Sequence, residues 1–388
     1  MSAAQPKPIA SSSHPEPLRV SLLPTLPVHA GISMTLYTHD LLASLERIPQ
    51  VTAKVCWPGF GVASAVGKFE ARWVRYVKYA RWCRTLPGDL YHITDHSNAQ
   101  LLLTLPGERT VVTCHDLYPV GIALGRIRFP GAESRFSMAP TALRVALLRR
   151  AAAVVAISQH TLQACREYLG IHPSRAFLAY YGVSELFCAR GDCSAREQFR
   201  LQANIQPDQF AILHVGSNDP RKNLRTVFGV VAALREQHNV KACLVKVGPH
   251  FGPRELDRIH RLRFTQAVRQ LGPLSAADTA QAYAGCDLLL YPSYDEGFCR
   301  PVVEAMAAGV PVVAARCGAI PEVAKDSSLL FEPGDAEDMA RAIVRLLKSR
   351  ELRAELVGRG KQAARKFTWE AHAAAVAEAY HAAWRRWV

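Results

Sequence analysis

The chain has 388 residues, 49% of them hydrophobic and 21% charged, with 47 Lys+Arg against 33 Asp+Glu and a formal net charge of +14. That length accommodates two domains of ordinary size, and the mixture of apolar residues with both signs of charge describes a folded chain and excludes a disordered one. The longest candidate for a membrane span, around Leu143 to Ile157, is broken by Arg144, Arg149 and Arg150.

Residues 1–17 are rich in Ser, Pro and Ala and lack the apolar core of a signal peptide. They read as a loose tail, and a cytoplasmic protein is expected. The ten cysteines are scattered singly without a C-x-x-C pair, which predicts reduced, buried thiols and neither a disulfide framework nor a zinc site. The positive excess is larger in the N-terminal half and favours an anionic partner: a membrane surface, a lipid diphosphate or nucleic acid.

In chain order, Leu18 to Leu23 predicts a first strand, and the loop around Gly31 opens a helix running to about Leu45. Residues 68–84 predict a helix with Phe69, Trp73, Tyr76, Ala80 and Cys83 on one face, expected to be core. Its other face carries Lys68, Arg72, Arg75 and Lys78 with Tyr79 and Trp82, the composition either of a helix lying on an anionic membrane or of an ordinary solvated face. Thr110 to Cys114 is a further strand, with His115-Asp116-Leu117 at its carboxyl end, where ligand groups gather in open α/β sheets. Ala151 to Ser158 predicts another strand, and His160-Thr161 starts the next helix.

Residues 188–208 have the charged, irregular composition of a linker. Phe210 to Val215 then predicts a strand, followed by a loop from Gly216 that brings Arg221 and Lys222 to a helix entrance. Guanidinium binds phosphate oxygens in a fork and ammonium acts as a point charge, so a diphosphate site is one reading and a plain solvated surface the other. Ala242 to Val247 is the next strand, and Leu271 to Ser275 a turn.

The stretch from Asp287 to Ala315 packs the most chemistry into the fewest residues. An apolar strand to Tyr291 is followed by the loop Asp295-Glu296-Gly297, a helix opened by Pro301 and stopped by Gly309, and a second apolar strand. Arg300, expected at the cap, offers no side-chain oxygen, which leaves the first-turn amides for water or an anion. Glu296 at the mouth and Glu304 one turn into the helix can accept hydrogen bonds from the hydroxyls of a ribose or sugar. A loop acid and a helix-dipole acid are the alternative.

The wording from Glu296 to Glu304, E-G-F-C-R-P-V-V-E, followed by A-M-A-A-G-V-P-V-V, resembles the E-x7-E signature of retaining family-4 glycosyltransferases, which have the GT-B fold. Cys299 stands where that family usually has glycine and Arg300 where it usually has an aliphatic residue. The resemblance implies two Rossmann-like α/β domains facing each other across a cleft, with a C-terminal helix crossing back to the first. On this reading the first domain spans 18–187, the linker 188–208, the second domain 209–368 and the crossing helix 369–388, with a free amphipathic tail as the alternative for the last segment.

The same resemblance implies a nucleotide diphosphate sugar as donor, guanosine diphosphate mannose by the H-D-L and P-R-K-N wordings, and a saccharide or lipid-linked acceptor. Glu296 would hold the sugar hydroxyls and Glu304 the ribose, with Arg221 and Lys222 on the diphosphate and His115 near the transferred sugar. Gly31, Gly216, Gly297, Phe298, Cys299 and Arg300 would line the donor, and Pro273 and Leu274 would run past the base. No D-x-D pair occurs, so neither a metal nor another cofactor is expected. Retention without an opposing carboxylate favours a front-face route, and the enzyme would be cytoplasmic, peripheral to the membrane through residues 68–84. A sugar phosphorylase of the same fold and a basic nucleic-acid-binding module are the rival readings, the latter without a recognised reading motif. The oligomeric state is left open.

Overall fold

A computed structural model of the chain describes residues 16–26, 32–60, 67–188 and 193–388. Gly31 and most of the 1–17 tail lie outside the described residues. The first sheet contains β1 (Leu18–Leu23), β2 (Val51–Val55), β3 (Leu90–Ile93), β4 (Thr110–Cys114), β5 (Ala153–Ala156) and β6 (Ala176–Leu178), in the order β2-β1-β3-β4-β5-β6. The second contains β7 (Phe210–Val215), β8 (Ala242–Val247), β9 (Val268–Gly272), β10 (Leu288–Tyr291), β11 (Val312–Ala315) and β12 (Leu329–Phe331), in the order β12-β11-β10-β7-β8-β9. The strands pair in parallel in both sheets. The residues of β4, β5, β8, β10 and β11 are all buried, which is why these segments read as unbroken apolar runs: helices cover both faces of a parallel sheet.

The strand orders fix where ligands can enter. In the second sheet the chain builds β8 and β9 on one side of β7 and then β10 on the other, so loops after β7 and β10 part in opposite directions and leave a crevice at their carboxyl ends. The first sheet has the same reversal between β1 and β3.

The C-terminal helix Trp369–Trp387 crosses back onto the first domain and is not a free tail. A directed chain of hydrogen bonds holds it there. His372 Nδ1 donates to the Tyr180 carbonyl at 3.0 Å, which leaves Nε2 to accept from Tyr37 at 3.1 Å. Thr113 then donates to Tyr37 at 2.9 Å, His92 Nε2 to Thr113 at 2.8 Å, and Tyr380 to His92 Nδ1 at 2.7 Å. Burial favours the neutral imidazoles this chain needs, and it pushes His372 down to about 4 and His92 to about 3.

Two segments depart from expectation. The predicted helix at 68–84 is interrupted by a π turn at Val74–Lys78 between helices Lys68–Trp73 and Tyr79–Cys83. A π turn rotates less per residue than an α turn, so the faces before and after it do not align. Val74, Tyr79, Ala80 and Cys83 are buried, whereas Phe69, Trp73 and Tyr76, expected as core, are 82%, 47% and 43% exposed. Within the stretch read as a linker, Cys193–Gln202 is a helix docked on the second domain. Its Arg196 and Arg200 reach the two oxygens of Asp287 at 2.5 and 3.3 Å, a pairing invisible in local composition.

Candidate active site

The helix Arg300–Ala308 follows β10 and ends, as its glycine predicts, at Gly309 in the left-handed conformation. Its cap is Cys299, one residue earlier than Arg300, and the cap side chain makes no hydrogen bond to the first turn. Cys299 has φ 76° and ψ 63°, a region that favours glycine and costs other residues about 1 kcal/mol. Its thiol is buried, and burial pushes it well above the ordinary cysteine range.

Beside this helix, in the crevice between β7 and β10, Lys222 Nζ donates to Glu296 Oε1 at 2.6 Å and to the Tyr291 hydroxyl at 3.0 Å. Glu296 is 6% exposed. Burial works to raise its carboxyl, but the cations Lys222 and Arg221 outweigh it and hold the group below the usual glutamate range. Arg221 points across to the first domain, where Nη1 lies 3.3 Å from Asp116 Oδ2 and the guanidinium covers the Tyr118 ring at 4.9 Å. Burial opposes the charge on Arg221, and Asp116 followed by Glu296 more than offsets it. Its Nε is buried without a hydrogen-bond partner among the described residues, a rare state for a charged donor.

The first domain closes directly on this loop. A side chain at Gly297 would place its Cβ 1.9 Å from the His115 carbonyl oxygen, so this approach admits only glycine. Thr161 donates to the Gly297 carbonyl at 3.2 Å, Phe298 packs edge-on against Tyr181, and Phe129 stacks on Tyr294 at 4.8 Å. His115 lies at the carboxyl end of β4 as the sequence predicts, but both ring nitrogens have protein partners. Nε2 donates to the Thr94 carbonyl at 2.8 Å, and Nδ1 accepts from the Tyr181 hydroxyl. Burial lowers its pKa and keeps the ring neutral.

Glu304 lies one turn into the helix with its side chain 12% exposed. Tyr283 donates to its Oε2 at 3.0 Å, and Arg300 Nε sits 3.6 Å from Oε1. Burial raises the Glu304 carboxyl, with Arg300 and Tyr283 opposing. Gly216 begins the loop after β7, with the Lys222 side chain packed along it; Pro273 and Leu274 follow β9, at the carboxyl-terminal side of the same sheet but two strands away. Gly31 cannot be placed among the described residues.

Tertiary structure adds residues that no spacing announced. Glu322 of the second domain accepts from the Gln159 and His160 amides at 2.7 and 2.9 Å, capping a first-domain helix more than a hundred and sixty residues away in sequence. His160 Nε2 lies 3.4 Å from Asp295 Oδ1, and the Asp295 hydrogen bond raises the imidazole pKa. Lys246, fully buried on β8, donates to the Gly216 carbonyl beneath the loop that carries Lys222. Burial and Lys222 lower it to about 8. A lone lysine inside the buried strand ACLVKV was its signal.

Two family descriptions divide the chain. Glycosyltransferase Family 4 matches residues 28–185, and Glycosyl transferases group 1 matches residues 195–363. The serotype-specific mannosyltransferase WbdA of Escherichia coli is 29% identical over 271 residues, 67% of this chain and 32% of its own length. The chain therefore spans about a third of that relative. Among solved structures, sucrose-phosphate synthase from Thermosynechococcus elongatus superposes with a TM-score of 0.75 at 20% identity, covering 94% of this chain and 98% of the other. Anabaena HepE, crystallised with UDP-glucose, gives a TM-score of 0.71 at 20% identity, with 93% and 98% covered.

Proposed function

The chain belongs to the GT-B glycosyltransferases of the group 1 and family 4 type, and from that premise we propose that it transfers a hexose from a nucleotide diphosphate sugar to a saccharide or lipid-linked acceptor with retention. The observation that carries this reading is the cation pair at the β7/β10 crevice: Arg221 with a buried, unpartnered Nε, beside Lys222 and the uncapped helix after Cys299. Buried donors of this kind stabilise charge that develops on a departing diphosphate. WbdA's description as a mannosyltransferase supports mannose as the sugar, and the wording of the loops supports a guanosine diphosphate carrier.

In the proposed reaction the bond between the anomeric carbon and the diphosphate oxygen breaks, with its electron pair leaving on the diphosphate. The acceptor oxygen bonds to the same face of that carbon, and its proton passes to the departing phosphate. Glu296 exchanges Lys222 for the sugar hydroxyls while Lys222 turns to phosphate, and Glu304 holds the ribose. Three carboxylates of the crevice loops, Asp116, Asp295 and Glu296, each face a cationic partner or a histidine, which supports a front-face route over a covalent one. His115 acts as a positioning residue in this arrangement, because both nitrogens are engaged. Arg221, Lys222 and the helix terminus supply the charge a metal would otherwise supply.

No helix among the described residues is long and apolar enough to cross a membrane. Contact with an anionic membrane surface through the exposed Phe69, Trp73 and Tyr76, flanked by Arg72, is part of the proposal. A thermal-shift screen with UDP, GDP and ADP, followed by incubation with the matching nucleotide sugars and proton NMR of the product linkage, tests the function. Stabilisation by GDP and an α-linked product from GDP-α-mannose are expected. Consumption of inorganic phosphate with no nucleotide effect would point to the phosphorylase instead.

A further inference from the structure

Arg300 is, with Cys299, one of two places where the stretch from Glu296 to Glu304 leaves the family pattern, and the structure gives the guanidinium a definite place. It starts the helix Arg300–Ala308, and its Nε lies 3.6 Å from Glu304 Oε1, an ion pair longer than a direct hydrogen bond. The same guanidinium sits 5.9 Å from the centre of the Tyr181 ring in the first domain, and its charge also reaches Asp40. Both side chains of the pair are largely enclosed, at 22% and 12% exposure.

That enclosure sets the problem Arg300 solves. Burial disfavours the Glu304 charge, and the Tyr283 hydroxyl satisfies one carboxylate oxygen. An ionised carboxylate accepts from two neighbouring hydroxyls at once, whereas a protonated one gives up part of that capacity and can rotate to donate. An aliphatic side chain at 300 would leave Glu304, among the described residues, with the Tyr283 hydroxyl alone of these two partners. Arg300 lies by Oε1 and Tyr283 donates to Oε2, so the two partners engage different oxygens of the carboxylate, and the guanidinium sits against the Tyr181 ring.

We propose that Arg300 is a positioning residue for the donor nucleotide, holding the Glu304 carboxylate ready to accept the two ribose hydroxyls. The proposal rests on the reading of Glu304 as the ribose-holding acid. It assigns Arg300 a role through Glu304 and not on the phosphate or the sugar directly.

The test is ribose discrimination. Isothermal titration finds which of UDP, GDP and ADP binds the full-length protein most tightly, and compares it with its 2′-deoxy counterpart. The parent protein should prefer the ribonucleotide by roughly tenfold, the size of one hydrogen bond to a charged group. Glu304→Gln and Arg300→Leu should each shrink that ratio to roughly twofold, the double variant should shrink it no further, and Arg300→Lys should keep most of it. Should Arg300→Leu fail to fold, Arg300→Gln gives the same reading. If Glu304→Gln loses the preference while the Leu or Gln variant at 300 keeps it, the proposal fails and the reading of Glu304 stands. If Glu304→Gln keeps the preference, the reading fails and the proposal with it.

Discussion

Lys222 Nζ and Glu296 Oε1 lie 2.6 Å apart, although the residues are 74 positions apart in sequence and belong to loops leaving different strands. The pair is nearly closed to solvent, with side-chain exposures of 12% and 8%. Each charge is stabilised by the other, and each is proposed to find a different partner on the substrate.

Breaking this pair should reveal its coupling. Lys222→Met leaves the buried Glu296 charge without its cation, and Glu296→Gln leaves the Lys222 charge with neutral acceptors only, which costs about 3 kcal/mol when a buried pair is halved. The double variant should be less destabilised than the sum of the two, by 1 kcal/mol or more on the order of magnitude of coupled neighbours. Transfer activity should fall by at least about a hundredfold in every case. Urea unfolding and initial rates check both parts; simple additivity of the stabilities would mean that the pair is not formed in solution.

Acid should loosen the crossing helix. His372 has its pKa depressed to about 4, so the unfolded chain binds the extra proton over the window between 4 and its ordinary 6.5. Stability from this group is therefore full above about 6.5 and is lost as pH falls toward 4, on the order of 3 kcal/mol in all. His372→Gln should remove that share of the dependence, leaving the part contributed by His92 and His214, which burial pushes down to about 3. Unfolding curves at pH 7 and pH 4.5 for both proteins measure it, and an identical acid loss in the variant would exclude His372 as the cause.

Tyr37→Phe should cut the same chain in the middle. It leaves His372 Nε2 without its donor and Thr113 without its acceptor, at a cost of about 1–3 kcal/mol. Denaturation midpoints decide it, and a cost below about 0.5 kcal/mol, the range of an uninvolved surface change, would count against a connected network.

At the helix cap, Cys299→Val should destabilise by about 1–3 kcal/mol, because a β-branched side chain at φ 76° adds to strain already present. Cys299→Gly should stay within about 1 kcal/mol of the parent, the relief of strain offsetting lost packing and a freer unfolded chain. Equal effects from the two substitutions would show that the cap relaxes in solution.

The exposed aromatic face gives a further expectation. Phe69→Ala with Trp73→Ala should lower co-sedimentation with phosphatidylglycerol vesicles several-fold, in keeping with ~25 cal/mol per Å² of apolar surface. No binding by the parent protein to such vesicles ends the membrane assignment.

Much of this molecule is written locally. Buried parallel strands need apolar residues on both faces, so β1, β4, β7 and β8 could be delimited from sequence, as could the Gly309 helix stop. The placement of Arg221, Lys222 and Glu296 on loops that leave β7 and β10 was legible for a related reason, since a parallel sheet collects its ligands at strand ends, and Glu304 could be placed one turn into the helix that Gly309 stops. The face of residues 68–83 was not, because one π turn resets the helical phase without a residue type that signals it.

What the sequence determined alone is therefore the α/β class, the place of several buried strands, β1, β4, β7 and β8 among them, and the residues able to carry charge near strand ends. Only the tertiary structure decided who meets whom. It paired Lys222 with Glu296, Arg221 with Asp116 and Glu322 with a helix of the other domain, engaged both nitrogens of His115, and set Arg300 against Glu304 and Tyr181. Such contacts follow from sheet topology and domain closure, which bring residues together by geometry in space, while local sequence records only propensity and burial.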